Sequence, residues 1–157
     1  MTGDECVLCR RATTLEPPEL LLRGEHWLAS RHPTMPAPGW IAVQTARHTE
    51  GLAQLDRAEA AELGPLLSRL SAAVTRVTGS ERVYTYSLGE GCPHTHILLG
   101  PPRRELRGTA FITALLHRDE SLADETAAID VARDLADELA DRPPENPTQP
   151  TESGERR

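Results

Sequence analysis

Between Asp56 and Gly79 the sequence carries a long amphipathic helix with both ends marked. Asp56 supplies an N-cap and Glu59 follows three residues on, as in a capping box. Leu63, Leu66, Leu67, Leu70, Val74 and Val77 recur at helical spacing, and Gly79 stands where a left-handed C-cap is wanted. Gly64-Pro65 interrupts the pattern and predicts a bend. Such a helix must bury its apolar stripe against something. The partners offered by the sequence are short extended segments on either side, His26–Ser30 and Trp40–Gln44 before it, Val83–Leu88 and Thr95–Leu99 after it. Val83–Leu88 is rich in β-branched and aromatic residues, and Pro33, Pro36, Pro38 and Gly39 make a rigid turn between the first two. A second helix spans Leu122–Ala140, with Ile129, Ala132, Leu135 and Leu139 on one face and acidic residues on the other. The order strand, strand, helix, strand, strand, helix predicts an α+β sheet with the helices on one side.

The chain has 157 residues, room for one core. Residues 142–157 contain four prolines and no apolar side chain. Such a stretch cannot offset its ordering entropy, so the reading is a domain over 1–141 and a disordered tail over 142–157. The net charge is −7, and the five aromatic residues are scattered along the chain. Both facts argue against a nucleic-acid partner, which calls for a basic footprint or a stacking platform. All 17 basic residues are arginine, so lysine Schiff-base chemistry and a phosphate-loop lysine are excluded. No apolar run approaches a membrane span and no signal peptide is recognisable, so the expected location is the cytoplasm.

Three cysteines, an odd number, suit a metal or catalytic role better than a disulfide framework. Cys6-Val7-Leu8-Cys9 is a zinc half-site or a redox pair. A thioredoxin-like motif follows a strand, whereas only five residues precede Cys6, which favours zinc. Arg47-His48 follows the Trp40–Gln44 strand. In Cys92-Pro93-His94-Thr95-His96, alternation along a strand puts His94 and His96 on one face, with Cys92 alongside if the chain stays extended through Pro93. Such a histidine pair can bind metal, hold phosphate or transfer protons. Gly89 and Gly91, just before, would let backbone amides approach a ligand.

Taken in order, Cys6/Cys9, Pro36-Ala37-Pro38-Gly39, the Trp40–Val43 strand, His48, the long helix and Cys92-Pro93-His94-Thr95-His96-Ile97-Leu98 resemble the histidine triad (HIT) superfamily of nucleotide hydrolases and transferases. The likeness covers roughly residues 6–102. The Cys-Pro-His-Thr-His variant also looks like the galactose-1-phosphate uridylyltransferase branch. The resemblance implies a HIT-like antiparallel sheet with the long helix packed on it. It implies an enzyme that cleaves or transfers nucleotides at an α-phosphate. His94 is then the nucleophile and forms a nucleotidyl-histidine, with His96 on the phosphate oxygens and Ser87, Gly89 and Gly91 assisting. It implies a structural zinc held by Cys6, Cys9, His48 and Cys92, and a homodimer. Arg103 or Arg104 could neutralise phosphate. His32 stands near the position where relatives place an acidic ribose ligand, which puts ribose recognition in question. The short Ser87–Gly91 loop lacks the usual Asn and Gln, so a non-catalytic module binding a nucleotide or a protein is the alternative function.

Overall fold

In the computed structural model, residues 5–103, 106 and 108–142 are described. The expected tail and Arg104 therefore fall outside the described residues, apart from Arg142. Five strands form one antiparallel sheet: β1 (Leu20–Arg23), β2 (Trp27–Arg31), β3 (Ile41–Thr45), β4 (Tyr84–Tyr86) and β5 (His96–Gly100). Their spatial order is β1-β2-β3-β5-β4. Four helices accompany them: α1 (Val7–Thr14), α2 (Arg57–Thr78), α3 (Gly108–Leu116) and α4 (Glu125–Asp141). The fold class is α+β, as the sequence implies. Among the described residues, no helix is long and apolar enough to cross a membrane.

The long helix forms as its caps dictate. Asp56 accepts from the Ala58 and Glu59 amides, Glu59 accepts from the Asp56 amide, and Gly79 closes the helix at φ 66°. The helix runs through Pro65. Its stripe, Leu66, Leu70, Ala73 and Val74, packs with Ala132, Leu135 and Leu139 of α4 onto Trp27, Ala29, Ile41, Val43 and Leu99 of the sheet. Trp27 Nε1 donates to the Glu59 carbonyl at 3.0 Å and pins the start of α2 to β2.

The helices do not all lie on that side. Side chains alternate across a strand, and the opposite face presents Ala42 and Leu98, which join Met35, Ala37, Trp40, Leu122 and the α3 residues Phe111 and Leu115 in a second cluster. α1 also sits there: Gln44 donates to the Leu8 carbonyl at 3.2 Å and Arg11 to Ser30 Oγ at 2.8 Å. The expectation of helices on one side is thus corrected, because α1 and α3 are the two helices the sequence pattern did not mark. Gly100 lies directly under Trp40, where a Cβ would come within 2.5 Å of the indole ring.

Candidate functional site

The sheet register brings the histidines together. Gln44 pairs with His96 and Ala42 with Leu98 across β3 and β5, and Ser30 pairs with Ala42 across β2 and β3. The His32 amide extends that ladder by donating to the Trp40 carbonyl at 3.0 Å. Ser30, His32, Gln44 and His96 therefore share the face on which α1 and α3 lie.

At one end of this face, Cys6, Cys9, His48 and His94 each offer a donor atom within 4.8 Å of the others. Three elements deliver them. Cys6 is the N-cap of α1 and Cys9 lies in its first turn. His48 sits in the loop after β3, which is anchored on both sides of it. Arg47 grips the Glu59 carboxylate at the start of α2 through two contacts of 2.6 Å. Thr49 Oγ1 bonds to Thr45 Oγ1 at 2.9 Å and Thr95 Oγ1 at 2.7 Å. His94 is 2 % exposed. Its Nδ1 lies 3.4 Å from both the Cys6 and Cys9 sulfurs, and its Nε2 lies 3.0 Å from the Thr45 carbonyl. The carbonyl can only accept, so Nε2 carries the hydrogen and Nδ1 presents its lone pair to the cluster. His48 Nδ1 is 3.5 Å from Cys9 Sγ, while its other nitrogen lies 3.7 Å from a Glu50 carboxylate oxygen.

The electrostatics suit a cation. Burial pushes the Cys6 thiol up, but the amides of Cys9 and Leu8 and the side chains of Cys9 and Cys92 outweigh it, so its pKa is lowered. Burial, aided by the charges of His48 and His96 and opposed by the Thr45 carbonyl, holds His94 below its ordinary value and favours the neutral, ligating form. Two sulfurs and two imidazoles form a tetrahedral zinc donor set with no open position, so the metal it fits is structural zinc.

The zinc expectation stands, but its fourth ligand is corrected: His94 completes the set, not Cys92. The His94 amide bonds back to the Cys92 carbonyl at 2.8 Å, a tight turn through Pro93 that removes Cys92 from the strand. Cys92 lies beside Cys6, and burial, then the nearby Cys6 charge, raises its thiol pKa. The same geometry bears on the expected nucleophile. Both His94 nitrogens are engaged and the ring is buried.

His96 is the opposite case. It is half-buried at the start of β5, and its Nδ1 donates to the His94 carbonyl at 2.6 Å. In the neutral ring that leaves the Nε2 lone pair free. Ser87 donates to the His96 carbonyl at 2.6 Å, which ties the loop after β4 to β5. Gly89 and Gly91 are exposed in that loop with open space around them. Arg103 donates to the Leu122 carbonyl at 2.8 Å. His26 holds Glu62 on the surface at 2.9 Å.

His32, which stands near the expected ribose-ligand position, lies on the same face. Its Nδ1 accepts from the Thr34 and Met35 amides at 3.3 and 3.1 Å. Burial, with the charges of Arg118, His96 and Arg11, drives its pKa down to about 4. His32 is thus a neutral imidazole with its proton on Nε2.

No family model matches this chain, and no curated protein matches it. Solved structures do. A zinc-bound histidine triad family protein from Mycobacterium smegmatis superposes with a TM-score of 0.66 at 16% identity, over 88% of this chain and 96% of that one. A uridylyltransferase mutant gives 0.66 at 21% identity over 88% of this chain, which spans only 48% of the uridylyltransferase. A diadenosine triphosphate hydrolase from Plasmodium falciparum gives 0.61 at 12% identity, over 82% and 80%. By these likenesses the chain has the histidine triad fold.

Proposed function

We propose that this protein is a nucleotide hydrolase or nucleotidyltransferase that acts at an α-phosphate through a covalent intermediate on His96, with zinc in a structural role. One observation carries the assignment to His96: its Nδ1–H is bound to the His94 carbonyl, which leaves Nε2 as the free nucleophilic nitrogen of a half-exposed ring. The likeness to a diadenosine triphosphate hydrolase and a uridylyltransferase supports the reaction class.

In the first step the Nε2 lone pair attacks the α-phosphorus. A P–N bond forms, the P–O or P–N bond to the leaving group breaks, and the leaving group departs with that electron pair. In the second, the oxygen of water or another acceptor attacks the same phosphorus and the P–N bond to His96 breaks. As positive charge develops on the imidazole, the Nδ1–H···O=C bond to His94 strengthens, because it points at that charge. The zinc, when bound, supplies structural anchoring. His94 would be held on one side by the metal and on the other by Thr45, so the carbonyl that orients His96 is fixed. The chemistry thus moves from His94 to its neighbour. Ser87 positions the strand through its bond to the His96 carbonyl, and the Gly89–Gly91 amides lie on the exposed loop beside it, open to phosphate oxygens. Substrates of this class are dinucleoside polyphosphates, nucleoside phosphoramidates and nucleotide sugars. A homodimer in solution belongs to the same reading and is checked by light scattering.

A second reading, a nucleotide-binding module without turnover, is favoured by the exposed Ser87–Gly91 loop, which carries no Asn or Gln side chain to contact a transferred phosphate. One experiment separates the two. Wild type, His96→Ala and His94→Ala are assayed on the three substrate types, and wild type is acid-quenched during turnover for intact mass. The expected result is turnover lost in His96→Ala and a nucleoside monophosphate adduct on the wild type. Nucleotide affinity with no turnover by zinc-loaded wild type supports the module. Turnover persisting in His96→Ala, with contaminating enzyme excluded, overturns the histidine mechanism.

A further inference from the structure

Gly64-Pro65 interrupts the pattern of α2, yet the helix runs through it. From there Pro65, Ser68 and Ala72 recur at helical spacing on one face. These short side chains leave a groove beside Leu22 of β1 and Leu66, a cavity of about 810 Å³. Leu66 belongs to the core under α2 and α4, so the groove lies on that side of the sheet and His96 on the other.

Four arginines line the groove: Arg23 at the end of β1, Arg69 and Arg76 on α2, and Arg142 just after α4. The chain as a whole has a net charge of −7, so this positive rim runs against its composition. The charge of the rim is only partly answered. Arg23 donates to the Ala12 and Leu15 carbonyls, which are neutral. Arg69 donates to the Leu139 and Arg142 carbonyls and answers the negative end of α4. Arg76 and Arg142 share one carboxylate, both meeting Oε1 of Glu138. Glu62, the one acidic residue among the described residues lining the groove, is held by His26 at 2.9 Å. A guanidinium carries more N–H donors than these bonds use.

The spacing of the rim selects the shape of an anion. Arg69 and Arg76 stand seven residues apart on one helix, about 10 Å along its axis. A single phosphate cannot span that, whereas a chain of phosphates can. We propose that this groove is an oligophosphate-binding site, separate from the His96 face, which takes free polyphosphate or the phosphate tail of a nucleotide. Guanidinium forks match phosphate oxygens, the Ser68 hydroxyl adds a neutral donor, and Leu22, Pro65 and Leu66 supply an apolar wall. The site does not depend on the His96 mechanism.

The test is calorimetric titration of the full chain with inorganic tripolyphosphate in about 0.15 M salt, where diffuse surface attraction is screened. Zinc content is read after each titration, so that chelation is not taken for binding. Wild type and His96→Ala are expected to share one site of equal affinity. Arg76→Gln should weaken it about tenfold, as loss of one charge-assisted contact implies. Ser68→Asp, which sets a carboxylate in the groove at an exposed helix position, should abolish it while melting as wild type does without ligand. No binding by folded wild type, unchanged binding in Ser68→Asp, or binding abolished by His96→Ala alone overturns the proposal. Orthophosphate bound as tightly as tripolyphosphate overturns it too, because an extended anion would not be needed. A nucleoside triphosphate is then titrated into His96→Ala. Tighter binding than tripolyphosphate assigns the groove to nucleotides, and equal or weaker binding assigns it to the free phosphate chain; both uphold the site.

Discussion

One face of the sheet is covered by α2 and α4, whose aliphatic side chains close over Trp27, Ala29, Ile41, Val43 and Leu99. The other face is covered by α1, which bonds Gln44 and Ser30, and by α3, which packs with Ala42 and Leu98, and the same face carries His32 and His96. The first face is held by area removed from water, which needs no particular partner. The second is held at its α1 end by directional contacts, namely the Cys/His centre, Gln44 to Leu8 and Arg11 to Ser30, and at its α3 end by the cluster around Trp40 and Phe111. The contrast repeats within five residues of β5 and its approach. His94 is spent on structure and His96, two residues later, is left with a free nitrogen.

Substitutions can break this comparison. The largest stability loss is expected on the apolar face. Leu70 is fully buried between the sheet and α4, and Leu70→Ala should cost about 3 kcal/mol by urea denaturation, with kcat/KM per folded molecule unchanged. Glu59→Ala should cost about 2–3 kcal/mol, because it removes the buried partner of Arg47 and half of the capping box. Its pH dependence is directional. Arg47 first, then the Asp56 amide, hold the Glu59 carboxyl below its ordinary value of 4.5 against the cost of burial. The stabilisation is therefore complete above that value and lost as pH falls through the lower folded value. A denaturation series in acid should show wild type converging on Glu59→Ala. Gly100→Ala pushes a methyl into Trp40 and should cost about 2 kcal/mol, read as a lower melting temperature.

The smallest effect sharpens the account of the polar face. His32 is depressed from 6.5 to about 4 by burial and by Arg118, His96 and Arg11. The unfolded chain thus binds the extra proton between those values, so this contribution is full above 6.5 and lost progressively toward 4. Comparison of wild type with His32→Asn should show wild type losing about 1 kcal/mol more between pH 7.5 and 5.5. Protonation of the metal ligands is common to both chains. Equal losses would show that His32 is not held neutral.

The apolar face was legible in the sequence because its signals are local: a cap at Asp56, a stop at Gly79, a stripe of leucines between. The polar face was not, because its helices are placed by distant partners. In α1 only Leu8 is buried, and the helix is held by the metal donors, Gln44 and Ser30. β1 is a four-residue edge strand with one buried side chain. At the site, the residue types and the zinc chemistry could be read from Cys6, Cys9, His48 and the histidine pair, whereas the register could not. The resemblance put Cys92 in the ligand position and the nucleophile on His94, whereas the donor cluster contains His94. Pro93 was the available warning, since proline favours a turn at the entrance of a strand. The turn from His94 to Cys92 brings His94 into the donor cluster, and the proposed function accordingly moves the nucleophile by one alternation to His96.

That division is tested most directly by the zinc content of purified Cys92→Ala, His94→Ala and His96→Ala proteins beside wild type. About one zinc per chain is expected in wild type, Cys92→Ala and His96→Ala, with His94→Ala strongly depleted. Zinc retained by His94→Ala and lost from Cys92→Ala would contradict it and return the nucleophile's role to His94.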